Sequence, residues 1–426
     1  MKRFSFVIIL LTLTCNAYAQ LTLEMCQQKA REHYPEIAQY DLIAQSEEYN
    51  IESASRNWIP QITLSGQATW QNAVASFPEQ LENMLEAQGM SMPGIPQDQY
   101  RVALDVSQTI WDGGLSKANK AVAKAEAAEQ RLTSDVSIYA IEERINSIYF
   151  SILLMDENLE ALGAKQELLE TNYRKLESLH RNGAALQSDL DLIKVELLSL
   201  GQTIQQSKAS MQSFASMLEL FIGEPLEGRS LEKPVVPVFP DTENLRPELR
   251  LLDAKIARLD AQEQLLGASL TPKFAFFAQG YYGNPGLDMF KSMTSRDWTW
   301  NAILGVRMQW NISSFFTYGA DKRKLENTRA ALSVQRDVFS FNSKLQTGRD
   351  NSEIVRMRSA LNTDNEIVQL RSGIRQTAES QRENGIIDTA TLLQRISEES
   401  AAVTARNIHE IELLKTVYEL KHNVNQ

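Results

Sequence analysis

PQITLSGQATWQN, residues 60–72, alternates. Ile62, Leu64, Gly66, Ala68 and Trp70 fall on one face of an extended chain, and Gln61, Thr63, Ser65, Gln67, Thr69 and Gln71 on the other. A period of two predicts a β-strand with one apolar and one polar face. Three further stretches read the same way. YRVALDVSQTIW sets Tyr100, Val102, Leu104, Val106 and Ile110 against Arg101, Asp105, Ser107 and Thr109, with Gln108 as the misfit. KFAFFAQGYY begins at Lys273; WTWNAILGVRMQW sets Trp298, Trp300, Ala302, Leu304, Val306, Met308 and Trp310 against Asn301, Arg307 and Gln309. Each stretch is about ten residues, long enough to cross a bilayer when tilted.

The surrounding sequence is of another kind. No proline occurs between Gln97 and Glu224 or after Gly286, and these tracts are rich in Ala, Leu, Glu, Gln and Lys. That composition predicts very long helices. Ile138, Ile141, Ile145, Ile148, Ile152, Met155, Leu159 and Leu162 recur at alternating spacings of three and four. After a break at Gln166 the seam resumes at Leu169, Tyr173 and Leu176. This is an a/d seam for coiled-coil packing, on a helix of about 100 Å from Leu115 to Leu179.

The pattern is written twice. HYPEIAQYDLIAQSEEYNIESASRNWIPQITLSGQ, from His33, aligns with LRPELRLLDAKIARLDAQEQLLGASLTPKFAFFAQG, from Leu245, pairing Pro35 with Pro247 and Pro60 with Pro272. Trp111-Asp112 pairs with Trp310-Asn311, and RNGAALQSDLDLI from Arg181 with ENGIIDTATLLQR from Glu383. A repeat this long is a duplicated structural half. The expected organisation is a signal peptide at 1–19 and a first repeat at 20–223, with strands near 61–72 and 100–111 and a helical hairpin near 115–223. A Pro-rich linker at 224–246 follows. The second repeat, 247–426, has strands near 273–282 and 298–310 and a hairpin near 314–423.

The expected leader rests on Lys2 and Arg3, an apolar run from Phe4 to Thr14 and the A-x-A site Ala17-Tyr18-Ala19. Cys15 leaves acylation at that residue open. Removing Lys2 and Arg3 with the leader takes the net charge from −11 to −13, a poor match to nucleic acid. Cys26 then stands alone, so packing rather than a disulfide must hold the fold. No later segment has about twenty consecutive apolar residues. An exported chain of this kind spans a membrane only as a closed barrel. Four strands do not close one, since about eight are needed; three chains together supply twelve. Trp70, Trp111, Trp298, Trp300 and Trp310 lie at or near strand ends, where interface girdles sit. A soluble β-sandwich with an aromatic core is the competing account of the same strands.

At this point the chain resembles the TolC-like outer-membrane factors. The resemblance rests on the duplicated helix–strand–strand–helix–helix order and on LDVSQTIWDGG, from Leu104, which is similar to the family's strand-to-helix junction. There Asp112 can cap the long helix beside Trp111, while Gly113 and Gly114 permit a sharp turn. The resemblance implies an α+β membrane protein. In it a homotrimer forms a twelve-stranded β-barrel in the outer membrane of a Gram-negative bacterium, continuous with a long periplasmic α-helical coiled-coil barrel.

The same resemblance implies where function sits. The Asn-Gly turns Asn182-Gly183-Ala184 and Asn384-Gly385-Ile386 match the tips that dock a periplasmic adaptor protein, itself joined to an inner-membrane RND or ABC pump. Ser188 and Asp189 match a polar pair that closes the periplasmic mouth. The second half departs from the family, with Thr391 and Gln394 at the aspartate positions and Arg382 where an aromatic residue is expected. An Asp189–Arg382 latch is therefore expected, with Asp388 adding negative charge at the mouth. Catalysis is not expected. His33, His180, His409 and His422 are scattered without metal-ligand spacing, and there is no phosphate loop or nucleophile elbow. No cofactor is expected. The leading function is a passive efflux duct; a duct for ABC-driven protein secretion and a non-pore periplasmic coiled-coil scaffold are the alternatives.

Overall fold

The computed structural model describes residues 20–90, 94–226, 229–236 and 244–424. The expected leader, with Cys15 and the Ala19 cleavage site, lies outside them, as does part of the linker. The elements run α1 (Leu23–His33), α2 (Ala38–Ser55), β1 (Gln61–Trp70), α3 (Glu79–Glu86), β2 (Asp98–Trp111), α4 (Leu115–Arg181) and α5 (Gln187–Ile222). The second half gives α6 (Pro247–Ala268), β3 (Lys273–Asn284), α7 (Met289–Thr294), β4 (Thr299–Gln309), α8 (Ser314–Glu383) and α9 (Thr389–Val424). Pro35 separates α1 from α2. It holds Tyr34 extended and opens a short 3-10 turn at Pro35–Ile37.

The chain forms two compact units that cut across the repeats. One comprises Tyr40–Leu132 and Arg250–Arg336. It holds an antiparallel sheet in the order β1-β2-β3-β4, so β1 and β4 are edges. Register aligns the faces: Leu64 opposes Leu104, Val102 opposes Tyr282, and Tyr282 opposes Trp300. The apolar face has no cover among the described residues, with Leu64 72%, Leu304 73% and Trp300 81% exposed. Gln108 lies on this face opposite Phe276. Just beyond it, a register shift between Thr109 and Trp111 turns the pairing over. Ile110 is thus skipped, and Trp111 pairs with Phe274, their rings 5.9 Å apart. Gln108 remains the misfit on the apolar face, and the bulge beyond it brings Trp111 onto that face.

The described residues of the other unit, which spans Met1–Gln39, Thr133–Leu249 and Asp337–Gln426, are mainly helical. The α4 seam is its spine: Ile141, Ile145 and Ile152 are buried with Tyr149 and Phe150 against Leu23, Cys26, Leu218, Ile411 and Tyr418. The buried stripe is wider than an a/d seam because α1, α5 and α9 all converge on it. The linker joins this core: Leu21 bridges Leu231, and Tyr149 Oη lies 2.8 Å from Leu21 O and 2.6 Å from Glu232 O. Burial pushes the Cys26 thiol up to about 11, so it is a core residue rather than a reactive one.

His422 stacks on Tyr139, ring centroids 3.9 Å apart, and its Nδ1 lies 3.9 Å from Glu142 Oε2. Burial, reinforced by Arg246 and Arg31 and opposed by Glu248, lowers its pKa to about 4. The native imidazole is therefore neutral, while the unfolded chain protonates near 6.5. Its stabilisation is complete above that value and is lost as pH falls from about 6.5 towards about 4, on the order of 3 kcal/mol per chain. Burial raises the Glu142 carboxyl against the pull of Arg31, which gives the opposite slope above its unfolded range. Thermal midpoints from pH 7 to 4.5 are expected to fall for the native chain and to fall less for His422→Asn. Parallel curves would show that the imidazole is protonated in the fold.

Candidate functional site

The two hairpin tips are built alike. At the first, Gly183 N–H donates to His180 O (2.9 Å) and Ala184 N–H to Leu179 O (2.8 Å). At the second, Gly385 N–H donates to Arg382 O (3.1 Å) and Ile386 N–H to Gln381 O (2.8 Å). Gly183 and Gly385 have φ of +74° and +70°. These paired bonds, with a left-handed residue between them, are the Schellman closure of a helix. Asn182 caps its helix through its own N–H to Ser178 O (3.3 Å), while the Asn384 amide donates to Ser380 O (2.8 Å). His180 Nδ1 lies 2.9 Å from Ala185 O and braces the first turn.

Packing below the tips joins the hairpins. Leu169, Leu176, Leu190 and Ile193 share a core with Ala378, Leu392 and Ile396, and Lys175 Nζ meets Glu383 Oε1 at 2.7 Å. At the tips themselves, Leu186 is 70% and Ile386 69% exposed.

Arg382 crosses between the hairpins. Its Nη2 lies 3.6 Å from Asp189 Oδ2, with both side chains mostly buried, and its Nε donates to Thr389 Oγ1 at 3.0 Å. Thr389 is fully buried. Asp189 also accepts from Leu186 N–H at 3.3 Å, at the start of α5. One carboxylate thus caps its own helix and faces the guanidinium of the other hairpin. Ser188 is exposed and takes no part in this contact. Asp388 caps α9, accepting from Thr391 N–H at 2.8 Å. Hydrogen bonds from the Thr391 hydroxyl and N–H hold its carboxyl below the usual range, so it stays ionised. Sequence reading missed Thr389 and Lys175, because both act across contacts that only the packed hairpins create.

The strand-to-helix junction has its own geometry. The Asp112 carboxylate accepts from Gly114 N–H (2.9 Å) and Ser116 N–H (2.7 Å) at the start of α4. Trp111 is the last residue of β2. Gly113 has φ +70° and packs against the loop before β3; a Cβ there would lie 1.6 Å from Thr271 Oγ1. Gly114, φ +88°, has nothing within 4 Å of such a Cβ. Gly114→Ala is expected to cost about 1 kcal/mol from backbone strain alone, and Gly113→Ala at least about 2 kcal/mol more from the steric clash. Thermal midpoints compare them, and equal losses would remove the close-approach argument.

Among the described residues no helix is long and apolar enough to cross a membrane, and no group of three His, Cys, Asp or Glu side chains could hold a metal ion. Residues 27–224 match the family model for outer membrane efflux proteins. No curated protein sequence matches the chain. Solved structures share its fold. The outer membrane protein VceC of Vibrio cholerae is 13% identical with a TM-score of 0.69, over 94% of this chain and 95% of that one. The MtrE outer membrane channel of Neisseria gonorrhoeae, in its open state, is 12% identical with a TM-score of 0.66, over 94% and 88%. The Campylobacter jejuni CmeC outer membrane channel is 12% identical with a TM-score of 0.65, over 94% and 85%. The first repeat thus matches the model for outer membrane efflux proteins, and the chain, with a second repeat in the same element order, shares the fold of these outer membrane proteins over nearly its whole length.

Proposed function

We propose that three copies of the chain close a twelve-stranded barrel in the outer membrane of a Gram-negative bacterium and conduct cargo passively outward. The uncovered apolar face of the sheet carries this reading. A face bearing Leu64, Leu304 and Trp300 at 72%, 73% and 81% exposure is a large unfavourable surface in water and a matched one in lipid. Edge strands β1 and β4 would leave unpaired backbone groups in hydrocarbon, each costing several kcal/mol. Pairing β1 of one copy with β4 of the next removes both edges. The helices supply a matching signal. Val338, Phe341 and Leu345 of α8 are exposed at spacings of three and four, an a/d seam with no partner among the described residues. A second copy is its natural cover.

In this reading the Asn182-Gly183-Ala184 and Asn384-Gly385-Ile386 tips, six per trimer, dock a periplasmic adaptor. Exposed Leu186 and Ile386 offer it apolar contacts. The adaptor couples the duct to an inner-membrane RND or ABC pump, which supplies the energy and chooses the cargo. Asp189 and Arg382 hold the mouth closed at rest, and Asp388 adds negative charge beside them. No step requires covalent chemistry.

Single-channel conductance of the purified protein in planar bilayers, with its detergent-corrected mass, tests the proposal. A trimer with a small resting conductance is expected. A water-soluble species without membrane activity would replace the duct with a periplasmic scaffold.

A further inference from the structure

The polar face of the sheet is charged in one direction. Register places Arg101 and Asp105 of β2, Lys273 of β3 and Arg307 of β4 on it, while β1 contributes only neutral residues. Asp105 is hydrogen-bonded by the Gln279 amide. No ion-pair carboxylate accompanies Arg101, Lys273 or Arg307 among the described residues. Three cations against one anion is the reverse of the chain as a whole, whose net charge is −11.

One of these cations is held in place. Phe277 lies on the same polar face, opposite Gly305. Its ring covers that glycine so closely that an added Cβ would come within 3.1 Å of it. The Arg307 guanidinium sits over the ring, 4.8 Å from its centroid. Opposite Arg307 stands Ala275, which leaves the space around the guanidinium open. The stacking fixes the cation at little further entropic cost while its N–H edge remains without an acceptor. Planar donors presented in this way suit a carboxylate or sulfonate, which they can bind in bidentate fashion. Lys273, opposite Gln309, lies one row further along the same face, about 7 Å away.

We infer that the polar face of this sheet recruits organic anions bearing carboxylate or sulfonate groups, with Arg307, stacked on Phe277, as its contact point. Lys273 and Arg101 extend the positive field towards the two ends of the strands. The inference rests on the reading in which three chains close a duct with this face inward. A twelve-stranded barrel of ordinary strand spacing and tilt has a backbone radius of about 12 Å. Arginines reaching inward leave the axis within about one Debye length, ~8 Å, of their charge. Anions crossing the barrel therefore pass through the field rather than beside it, and the barrel disfavours multivalent cations.

Current block in planar bilayers tests this, with probe added on the side of the strand-connecting loops that carry α3 and α7. A naphthalene trisulfonate is expected to block at lower concentration than hexaamminecobalt(III). Arg307→Gln, which keeps hydrogen-bonding capacity without charge, is expected to raise the half-blocking trisulfonate concentration about tenfold, with block read as a fraction of the variant's own unblocked current. Phe277→Ala is expected to raise it less, by freeing the guanidinium. A channel whose block is unshifted in Arg307→Gln, or which the cobalt cation blocks more readily from that side, overturns the inference and leaves the duct standing. A protein that forms no channel removes the duct and this inference together.

Discussion

Replacing Arg382 with glutamate is expected to raise the resting conductance by at least about tenfold, the factor that corresponds to 1.4 kcal/mol. Arg382 Nη2 faces Asp189 Oδ2 of the other hairpin at 3.6 Å, and both side chains are only about one-fifth exposed or less. At that separation a carboxylate in place of the guanidinium turns attraction into repulsion of about 4 kcal/mol at an effective dielectric near 20. The change also takes away the donor to Thr389 Oγ1. Leaving that fully buried hydroxyl without its partner costs about a further 1–3 kcal/mol. The hairpins themselves should survive, because Leu169, Leu176, Leu190, Leu392 and Ile396 still bury a shared core. Charge reversal at both sites, Asp189→Arg with Arg382→Glu, is expected to restore much of the closure, which gives the cycle a coupling energy of defined sign. Arg356→Glu is the control, since Arg356 pairs with Glu353 on an exposed surface of its own helix. If Arg382→Glu conducts no more than Arg356→Glu, both tip residues are ordinary solvated helix ends and the closure lies elsewhere.

What could be read in the residues follows from how local each signal is. Alternation at 60–72 needs no partner to be visible, so the strands and their two faces are legible in the chain itself. The face that Trp111 takes is not, because the bulge near Ile110 is decided by pairing with β3, about 165 residues further along. Likewise the α4 seam is legible over Ile138–Leu176, whereas the stacking of Tyr139 on His422 joins residues 283 apart. Opposite charges at Asp189 and Arg382 suggested a contact, but Thr389 carries no mark in sequence that sets it apart from any helix-start threonine. Its role comes from burial under Arg382. The charges of the sheet's polar face were in view as letters. Their meaning depends on register, which sets Phe277 over Gly305 and beneath Arg307.

Leu304→Arg is expected to abolish assembly in the outer membrane. Leu304 is central in β4, opposite Ala278, with its side chain on the uncovered apolar face. At the midplane of a bilayer an arginine on the lipid side of a barrel costs about 2–4 kcal/mol, and a trimer carries the cost three times. On a sheet facing water the same change at an exposed position would fall within about 0.5 kcal/mol. The two environments therefore predict outcomes separated by several kcal/mol per assembly, far beyond the scatter of single substitutions. Thr63→Arg is the matched partner: Thr63 sits at comparable depth on the opposite face, beside Asp105, and is expected to assemble normally. Depth supplies a second axis. Arginine at Trp300 or Met308, near the two ends of β4, should cost only about 0–1 kcal/mol, because those positions reach the interfaces. Quantifying membrane-extracted trimer for the four variants reads the whole profile. A loss confined to Leu304→Arg is what a lipid-facing strand produces. Equal recovery of Leu304→Arg and Thr63→Arg would mean that the apolar face meets protein or water, and no barrel built from this sheet would survive that result.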